Sequence, residues 1–168
     1  MKLVAAFCLL NWSLIVKIIS NLIEAHIFRM NENKIEFLLL KRSDKEIYPG
    51  LWQMVSGRIK RSEKAFQTAL REIQEETNLK PKKFWVVPNI NSFYLPEKDL
   101  ITFLPVFLVQ VDSHSEVILS DEHSTYRWVS AQEAKKLLAW SGQRKSVDII
   151  IEYLTKRKSY LNFVEIKI

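Results

Sequence analysis

Apolar residues recur along the chain with two spacings, one typical of β-strands and one typical of α-helices. Short segments rich in β-branched and aromatic residues, bounded by turn-forming residues, predict β-strands. The first two flank a turn at residues 31–33 and therefore predict a hairpin, and residues 160–168 predict a final strand or a frayed tail. The other predicted strands and the hairpin together cover residues 17–30, 35–41, 52–55, 84–94, 101–111 and 126–129.

Helical spacing is clearest over residues 63–77, where apolar side chains recur every three or four positions on one face. Ser62 is the predicted N-cap, and Asn78 suits the left-handed residue that often closes a helix. Two more helices are predicted, one over residues 130–138 that opens with a capping box and one over residues 146–156. Strands mixed with three helices in uneven alternation predict an α/β or α+β fold in layers.

Composition adds that this is one ordinary domain. The chain has 168 residues, of which 48% are hydrophobic and 26% charged, and this balance excludes disordered and fibrous proteins. Three Gly and five Pro leave no room for a long flexible linker. The single Cys, Cys8, excludes an intramolecular disulfide framework and favours a reducing, cytoplasmic compartment.

The N-terminal segment of residues 3–16 carries no charge and needs a separate interpretation. Asn11, Trp12 and Ser13 interrupt the apolar run, and no small-residue cleavage site follows, so the pattern of a secretory signal is incomplete. The run is also shorter than the roughly 20 residues that a membrane-spanning helix needs. We therefore expect no membrane partner. Residues 1–16 are interpreted as a hydrophobic extension, either packed on the domain or added by an upstream start, residues 17–158 as the domain and residues 159–168 as a strand or tail.

The net charge does not decide which class of molecule the protein binds. Lys and Arg total 25 against 19 for Asp and Glu, which gives a net charge of +6 and a pI near 9.4. Such an excess attracts polyanions, and it suits phosphorylated small molecules as well as nucleic acid.

Three carboxylates on the helix predicted for residues 63–77 carry the first chemical signal. Glu72, Glu75 and Glu76 stand at positions i, i+3 and i+4, so they share one side of a helix and repel one another. A cation that compensates them would be a hard divalent ion such as Mg²⁺ or Mn²⁺, which prefers oxygen ligands. The alternative is a solvated acidic face neutralised by Arg71 and nearby lysines.

The spacing of the surrounding residues favours the first interpretation. Gly57, Glu63, the run Arg71-Glu72-Ile73-Gln74-Glu75-Glu76 and Leu79 are arranged in a pattern that resembles the Nudix box. That box reads Gly, five residues, Glu, seven residues, then Arg-Glu-aliphatic-x-Glu-Glu-x-Gly-aliphatic. The chain departs from it only at Asn78, which replaces a Gly, and Asn is the next most tolerant residue of a positive φ.

The resemblance implies a Nudix α/β/α sandwich with a mixed central sheet. It also implies that Arg71 and Glu63 form a structural ion pair and that Gly57 lies close to the metal. The residues that it implies for catalysis are Arg71, Glu72, Glu75 and Glu76, and those for the metal are Gly57, Glu72, Glu75, Glu76 and Glu122. The expected cofactor is Mg²⁺, with Mn²⁺ as an alternative.

Three further segments, residues 51–57, 121–129 and 140–144, resemble the branch of dihydroneopterin triphosphate diphosphatases and dATP pyrophosphohydrolases. Glu122 falls where relatives often have another metal-binding or water-activating carboxylate, and an exposed loop acid is the alternative.

The same resemblance places Arg42 and Ser56 where relatives contact substrate. Arg42 suits a phosphate because its guanidinium can bind two oxygens at once. The alternative interpretation is a surface arginine beside Asp44. His123 is interpreted as a structural hydrogen-bonding residue rather than a general base.

Four aromatic residues, Trp52, Phe93, Tyr94 and Trp140, offer rings that stack a heterocycle or simply fill the core.

The function implied is Mg²⁺-dependent hydrolysis of a nucleoside-triphosphate-like substrate to the monophosphate and pyrophosphate. The substrate would be dATP, another nucleoside triphosphate or dihydroneopterin triphosphate. One alternative is hydrolysis of a dinucleoside polyphosphate or a nucleotide sugar, and another is a non-catalytic module that binds a ligand or RNA. The intact box carboxylates argue against the last, so a nucleic-acid partner is not expected, and the resemblance allows a homodimer.

Overall fold

The computed structural model describes residues 16–168, and the predicted N-terminal extension lies almost entirely outside these described residues. The strands are β1 (Lys17–Ile19), β2 (Leu22–Asn31), β3 (Lys34–Arg42), β4 (Trp52–Gln53), β5 (Val55–Arg58), β6 (Lys83–Leu95), β7 (Leu100–Gln110), β8 (His123–Val129) and β9 (Glu165–Ile166). The helices are α1 (Ala65–Thr77), α2 (Ala131–Leu137), α3 (Ser141–Thr155) and α4 (Leu161–Val164). Within the described residues, no helix is long and apolar enough to cross a bilayer.

These strands join into one mixed sheet, which confirms the predicted fold class. The main path runs in the order β4-β3-β2-β7-β6-β9, while β1 pairs with β7, β5 with β2 and β8 with β3. The hairpin of β2 and β3 is antiparallel, as predicted, whereas β2 runs parallel to β7. The parallel pairing requires the long connection through α1 and β6.

Alternation along β2 divides the core between the two faces of the sheet. Ile23, Ala25 and Ile27 point to one face and pack with Ala69 and Ile73 of α1. The opposite face is packed by Phe28, Leu39, Leu108, Val147 and Ile150, with α2 and α3 above it. The sheet is therefore covered on both sides, and α1 lies alone on the face that also carries Gly57.

The start of α1 differs from the prediction. Lys64, not Ser62, is the N-cap residue, and Ser62 has a positive φ of 76° in the preceding turn. The backbone N–H of Lys64 donates to the side chain of Gln67. This hydrogen bond takes the place of the predicted serine hydroxyl cap at the start of the helix. At the other end Asn78 adopts the predicted left-handed conformation, with φ 57°.

Long-range contacts explain the other differences. The predicted first strand is broken between Ile19 and Leu22, and the carbonyl of Asn21 accepts a hydrogen bond from the N–H of Ile59, beside the pairing of β2 with β5. The predicted strand of residues 52–55 is two strands separated by Met54, and the second continues through Arg58. The helix predicted for residues 146–156 begins five residues earlier, at Ser141. Of residues 160–168, predicted as a final strand or a tail, only Glu165–Ile166 form a strand, which pairs with β6, and Leu161–Val164 form the unpredicted short helix α4.

Candidate active site

The candidate site lies at one end of the α1 face, where β5, α1 and the start of β8 meet. Gly57 of β5 packs directly beneath Glu72 of α1, and a Cβ atom at residue 57 would overlap the carboxyl group of Glu72. Any residue larger than Gly would therefore displace the Glu72 side chain from its present position. This close approach gives a steric reason for the Gly that begins the motif.

Glu76 is the most deeply buried acid of α1, with 3% of its surface exposed. Its Oε2 lies 2.7 Å from Nε2 of His123. Burial raises the pKa of Glu76 to about 7, although the contact with His123 acts in the opposite direction. A carboxyl group held here changes charge near neutral pH unless a cation compensates it.

Glu122 and His123 reach Glu76 because the segment before β8 crosses the C-terminal end of α1. The N–H groups of Ile118 and Ser120 donate to the carbonyls of Thr77 and Glu76, at 3.0 and 3.3 Å. As a result, one ligand atom from each of Glu76, Glu122 and His123 lies within 4.8 Å of the others. Residues from distant parts of the chain thus form a small group of two carboxylates and an imidazole.

Arg71 connects the loop before α1 to the acids on the helix. Its Nε and one terminal nitrogen bind both oxygens of Glu63, at 2.8 and 3.1 Å. The other terminal nitrogen contacts Glu72 at 2.8 Å and Glu75 at 2.7 Å, and the carbonyl of Arg58 accepts a further bond. Arg71 holds the pKa of Glu63 down to about 2, so this ion pair persists far into acid.

The three glutamates of the motif share one side of α1 but have different surroundings. Glu72 is largely covered, and burial raises its pKa against the opposing effect of Arg71. The side chain of Glu75 is 52% exposed and is also 3.7 Å from the ammonium of Lys60. The structure therefore brings Glu76 and Glu122 together, places Glu72 beside Gly57, and leaves Glu75 at the surface.

Arg42, the predicted phosphate-binding residue, lies at the end of β3 opposite His123 of β8. Its guanidinium donates to Gln53 at 3.1 Å and to Glu46 at 3.0 Å, so Glu46 rather than Asp44 is its acidic partner. The N–H of the next residue, Ser43, donates to the carbonyl of Glu122 at 2.9 Å. Arg42 thus borders the carboxylate group.

Ser56, the other predicted substrate contact, faces away from this group. It pairs with Glu24 of β2, whereas its neighbour Gly57 pairs with Ile23. Because successive residues of a strand point to opposite faces, Ser56 lies on the α3 side of the sheet.

A buried polar network on that α3 face has no counterpart in the predictions. Glu24 accepts hydrogen bonds from the amides of Asn91 on β6 and Gln143 on α3, the latter at 3.4 Å. All three residues are more than nine-tenths buried, and burial raises the pKa of Glu24. The only sequence signal was an acid in the middle of an apolar strand, since the partners come from distant elements.

The donor set of the candidate site suits a hard divalent cation. Glu76 and Glu122 each contribute a carboxylate oxygen to one group, and Glu72 lies close enough for its charge to act on the other two acids. Hard divalent ions bind such oxygen ligands while keeping positions for water and phosphate. A neutralising cation would also remove the unfavourable burial of the Glu76 charge.

The chain is similar to several known proteins. Residues 21–148 match the model of the NUDIX domain. The asymmetrical bis(5'-nucleosyl)-tetraphosphatase of Mus musculus is 31% identical over 111 residues, which cover 65% of this chain and 74% of the mouse protein. The dihydroneopterin triphosphate diphosphatase of Haemophilus influenzae is 29% identical over 143 residues, covering 76% and 83%. The solved structure of a C. elegans Ap4A hydrolase has a TM-score of 0.66 at 23% identity, covering 79% of this chain and 97% of that one.

Proposed function

The chain belongs to the Nudix family of hydrolases and acts on phosphoric anhydride bonds, and on this premise we propose that it splits a nucleotide substrate with the help of a divalent metal ion. One product of the proposed reaction is a nucleoside monophosphate. The observation that carries the proposal is the convergence of Glu76 and Glu122 beside Glu72, at the end of α1.

The proposed metal ligands are Glu72, Glu76 and Glu122, with Mg²⁺ as the expected ion. A bound Mg²⁺ supplies charge neutralisation for the phosphates and lowers the pKa of water. Glu75 was also expected to bind the metal. Its exposure and its ion pairs with Lys60 and Arg71 favour a different role, at the edge of the site, where it helps to position the metal ligands.

Arg71 is proposed as a positioning residue. Its four acceptor partners tie the loop of Arg58 and Glu63 to the helix that carries the metal ligands. Bidentate contacts of this kind fix the orientation of carboxylates. Arg71 therefore keeps the Glu72 carboxylate seated on Gly57.

Positive charge for the phosphates comes from two places beside the carboxylates. Arg42 lies at the end of β3, and the last residue of β5 and the loop after it expose Arg58, Lys60 and Arg61. Cations at these positions attract a polyphosphate and favour its approach to the metal site.

Two substrate classes share the proposed monophosphate product. The first is a nucleoside-triphosphate-like compound, from which hydrolysis releases the monophosphate and pyrophosphate, and the segments around residues 51–57 and 140–144 support it. The second is a dinucleoside tetraphosphate, whose asymmetrical hydrolysis leaves a monophosphate and a triphosphate. The similarity to the mouse tetraphosphatase favours this second class.

Product analysis tests the proposal and separates the two classes. The panel contains dATP, the other nucleoside triphosphates, dihydroneopterin triphosphate, diadenosine tetraphosphate and a nucleotide sugar, each with Mg²⁺ and with EDTA. We expect Mg²⁺-dependent release of a monophosphate, with pyrophosphate as the co-product in the first class and a triphosphate in the second. Hydrolysis in ¹⁸O-labelled water shows which phosphorus is attacked, because the label appears in the product that contains it.

A folded protein that turns over no member of this panel would contradict the proposal. Turnover that persists in EDTA would contradict the role of the metal while leaving the family activity in place.

A further inference from the structure

A buried imidazole lies against one of the carboxylates proposed to bind the metal. Nε2 of His123, at the start of β8, is 2.7 Å from Oε2 of Glu76, in the last turn of α1. The two side chains are 1% and 4% exposed, so water hardly competes for this contact. Among the described residues, no hydrogen bond reaches Oε1, the other carboxylate oxygen of Glu76. The imidazole therefore occupies one oxygen of the carboxylate and leaves the other available.

The surroundings of His123 determine which of its nitrogens carries the proton. Nδ1 is buried and, within residues 16–168, has no hydrogen-bond partner. A single proton on Nδ1 would leave a buried N–H without an acceptor and would set the lone pair of Nε2 against a carboxylate oxygen. The proton is therefore on Nε2, which donates it to Glu76. Because a nitrogen that carries a proton cannot bind a metal ion, Nε2 of His123 is not a metal ligand.

The backbone of His123 is held from two sides. On the helix side, its N–H donates to the carbonyl of Ser120 at 3.2 Å, and the N–H of Ser120 donates to the carbonyl of Glu76 at 3.3 Å. On the sheet side, His123 pairs with Arg42 of β3. The imidazole is thus presented to the carboxylate by a backbone that is fixed to both elements, and a group that orients another side chain must itself be held in this way.

Glu76 has a different partner from the other two acids of the motif. The guanidinium of Arg71 contacts Glu72 and Glu75. Among the ion pairs of the described residues, Glu76 is joined to His123 instead. A glutamate side chain has several rotatable bonds, and carboxylates that bind metals are usually oriented by hydrogen bonds from neighbouring residues. The contact with His123 supplies that orientation for Glu76.

We propose that His123 is a positioning residue that holds one oxygen of the Glu76 carboxylate and so leaves the other for the metal ion, an inference that rests on the proposed function. A purely structural hydrogen bond would contribute to stability without changing the affinity for a metal ion. The positioning role differs because it makes that affinity depend on a donor at the place of Nε2.

Two polar substitutions separate the place of the donor from its mere presence. The amide nitrogen of glutamine is as many bonds from the backbone as Nε2 of histidine, whereas that of asparagine matches Nδ1. His123→Gln should therefore restore the hydrogen bond to Glu76, and His123→Asn should not. His123→Leu removes the donor altogether. The control is His26→Leu, which removes a buried imidazole from the opposite face of the sheet.

The first experiment measures metal binding without substrate. Dissociation constants for Mn²⁺, the probe ion, are determined by calorimetry at pH 7.5 for the unsubstituted protein and the four variants, each shown to be folded by denaturant unfolding in EDTA. We expect His123→Leu and His123→Asn to weaken Mn²⁺ binding by about tenfold to a hundredfold, as is typical when the hydrogen-bond partner of a metal ligand is removed. His123→Gln should recover most of the affinity, and His26→Leu should leave it unchanged.

Three results of the calorimetry would overturn the inference. They are equal Mn²⁺ affinities for all variants, equal weakening by His123→Gln and His123→Asn, and no Mn²⁺ binding by the unsubstituted protein. If His123→Leu does not fold, the comparison of His123→Gln with His123→Asn decides by itself.

Pulsed EPR of the Mn²⁺-loaded protein tests whether His123 binds the ion directly. A nitrogen bound to Mn²⁺ is strongly coupled to its unpaired electrons, whereas an imidazole that only donates a hydrogen bond to a ligand is not. We expect the same nitrogen couplings in the unsubstituted protein and in His123→Leu, or in His123→Asn if the leucine variant does not fold. A directly bound nitrogen that is lost on substitution would make His123 a ligand and overturn the positioning role.

Steady-state kinetics with Mg²⁺ separate this inference from the proposed function. On the substrate identified above, His123→Asn should lower kcat by about tenfold at saturating Mg²⁺ and leave KM within about twofold, because a displaced metal ligand acts mainly on the transition state. If a substrate is hydrolysed but the His123 variants match the unsubstituted protein in Mn²⁺ affinity and in kcat, the positioning role is wrong and the proposed function stands. If Mn²⁺ affinity depends on His123 as expected but no substrate is hydrolysed, the positioning role stands and the proposed function fails.

Discussion

The two faces of the sheet bury carboxyl groups in contrasting ways. On the α1 face, Glu76 lies against the imidazole of His123, and Glu63 is held by the guanidinium of Arg71. On the α3 face, the side-chain donors to Glu24 among residues 16–168 are the neutral amides of Asn91 and Gln143. Burial raises the pKa of both Glu24 and Glu76, but within the described part of the chain further carboxylates act only on Glu76.

The contrast separates a site prepared for a cation from a structural polar network. Clustered acids on the α1 face repel one another, and a divalent ion relieves that repulsion. The acid on the α3 face is joined to β6 and α3 by hydrogen bonds, and no other described carboxylate forms a group with it. Substitutions on the first face should therefore change activity, and those on the second should change stability.

The largest expected effect is that of Glu76→Gln on activity. We expect kcat to fall on the order of a thousandfold, because metal stabilisation of the transition state contributes several kcal/mol. The amide keeps a partner for His123 and removes a buried charge, so the protein should remain folded. Steady-state rates with Mg²⁺ measure the effect.

Glu75→Gln is the matched control on the same helix. Its side chain is exposed and paired with Arg71, so we expect a loss on the order of tenfold, typical of residues that support metal ligands. Equal losses for the two variants would remove the distinction between the buried and the exposed acid.

Glu24→Ala tests the α3 face. The substitution leaves the amide donors of Asn91 and Gln143 without their buried acceptor, and we expect the free energy of unfolding to fall by about 2–4 kcal/mol. Denaturant unfolding at pH 7 measures it, with the exposed Glu32→Ala as the control. If Glu24→Ala left the stability unchanged and greatly reduced kcat, Glu24 would have a role in catalysis and not in stability.

His26 gives the α3 face a dependence on pH. Burial lowers the pKa of His26 to about 4, below its ordinary value of 6.5. Between those two values the unfolded chain binds a proton that the folded protein does not, so stability is complete above pH 6.5 and is lost as the pH falls through this window. The loss at pH 5 is about 2 kcal/mol relative to pH 7.5, from the size of the pKa shift.

His26→Leu should remove that part of the acid sensitivity. Unfolding free energies of the two proteins at pH 7.5 and pH 5 provide the measurement, and the exposed His114→Leu serves as the control. If the unfolding free energies of His26→Leu and the unsubstituted protein depended on pH in the same way, burial of His26 would not lower its pKa.

The smallest effect is expected at Asn78, on the α1 face but outside the carboxylate group. Asn78→Gly should change the unfolding free energy by less than about 0.5 kcal/mol, whereas Asn78→Ala should cost about 1 kcal/mol, because Ala disfavours a φ of 57°. Thermal or denaturant unfolding distinguishes them. A large loss of activity in Asn78→Gly would show that the asparagine does more than close the helix.

Prediction from the sequence succeeded where the determining interactions are local. The apolar period of α1, the left-handed Asn78 and the cap at Ser130 each depend on residues within a few positions, and the structure confirms all three. The start of α1 was not predicted correctly, because Ser62, the expected N-cap, lies in the preceding turn with a positive φ, and Glu63 pairs with Arg71 of the helix.

The family, the mixed layered fold and the placement of Glu72, Glu75 and Glu76 on one side of a helix all follow from spacing along the chain. The contacts of Glu76 with Glu122 and His123, the exposure of Glu75 and the burial of Glu24 among amides depend on how the elements pack. This is because a helix repeat fixes the direction of a side chain on its own element, while burial and pKa depend on the elements packed against it. Those partners come from β8, β6 and α3, and only the folded sheet brings them together.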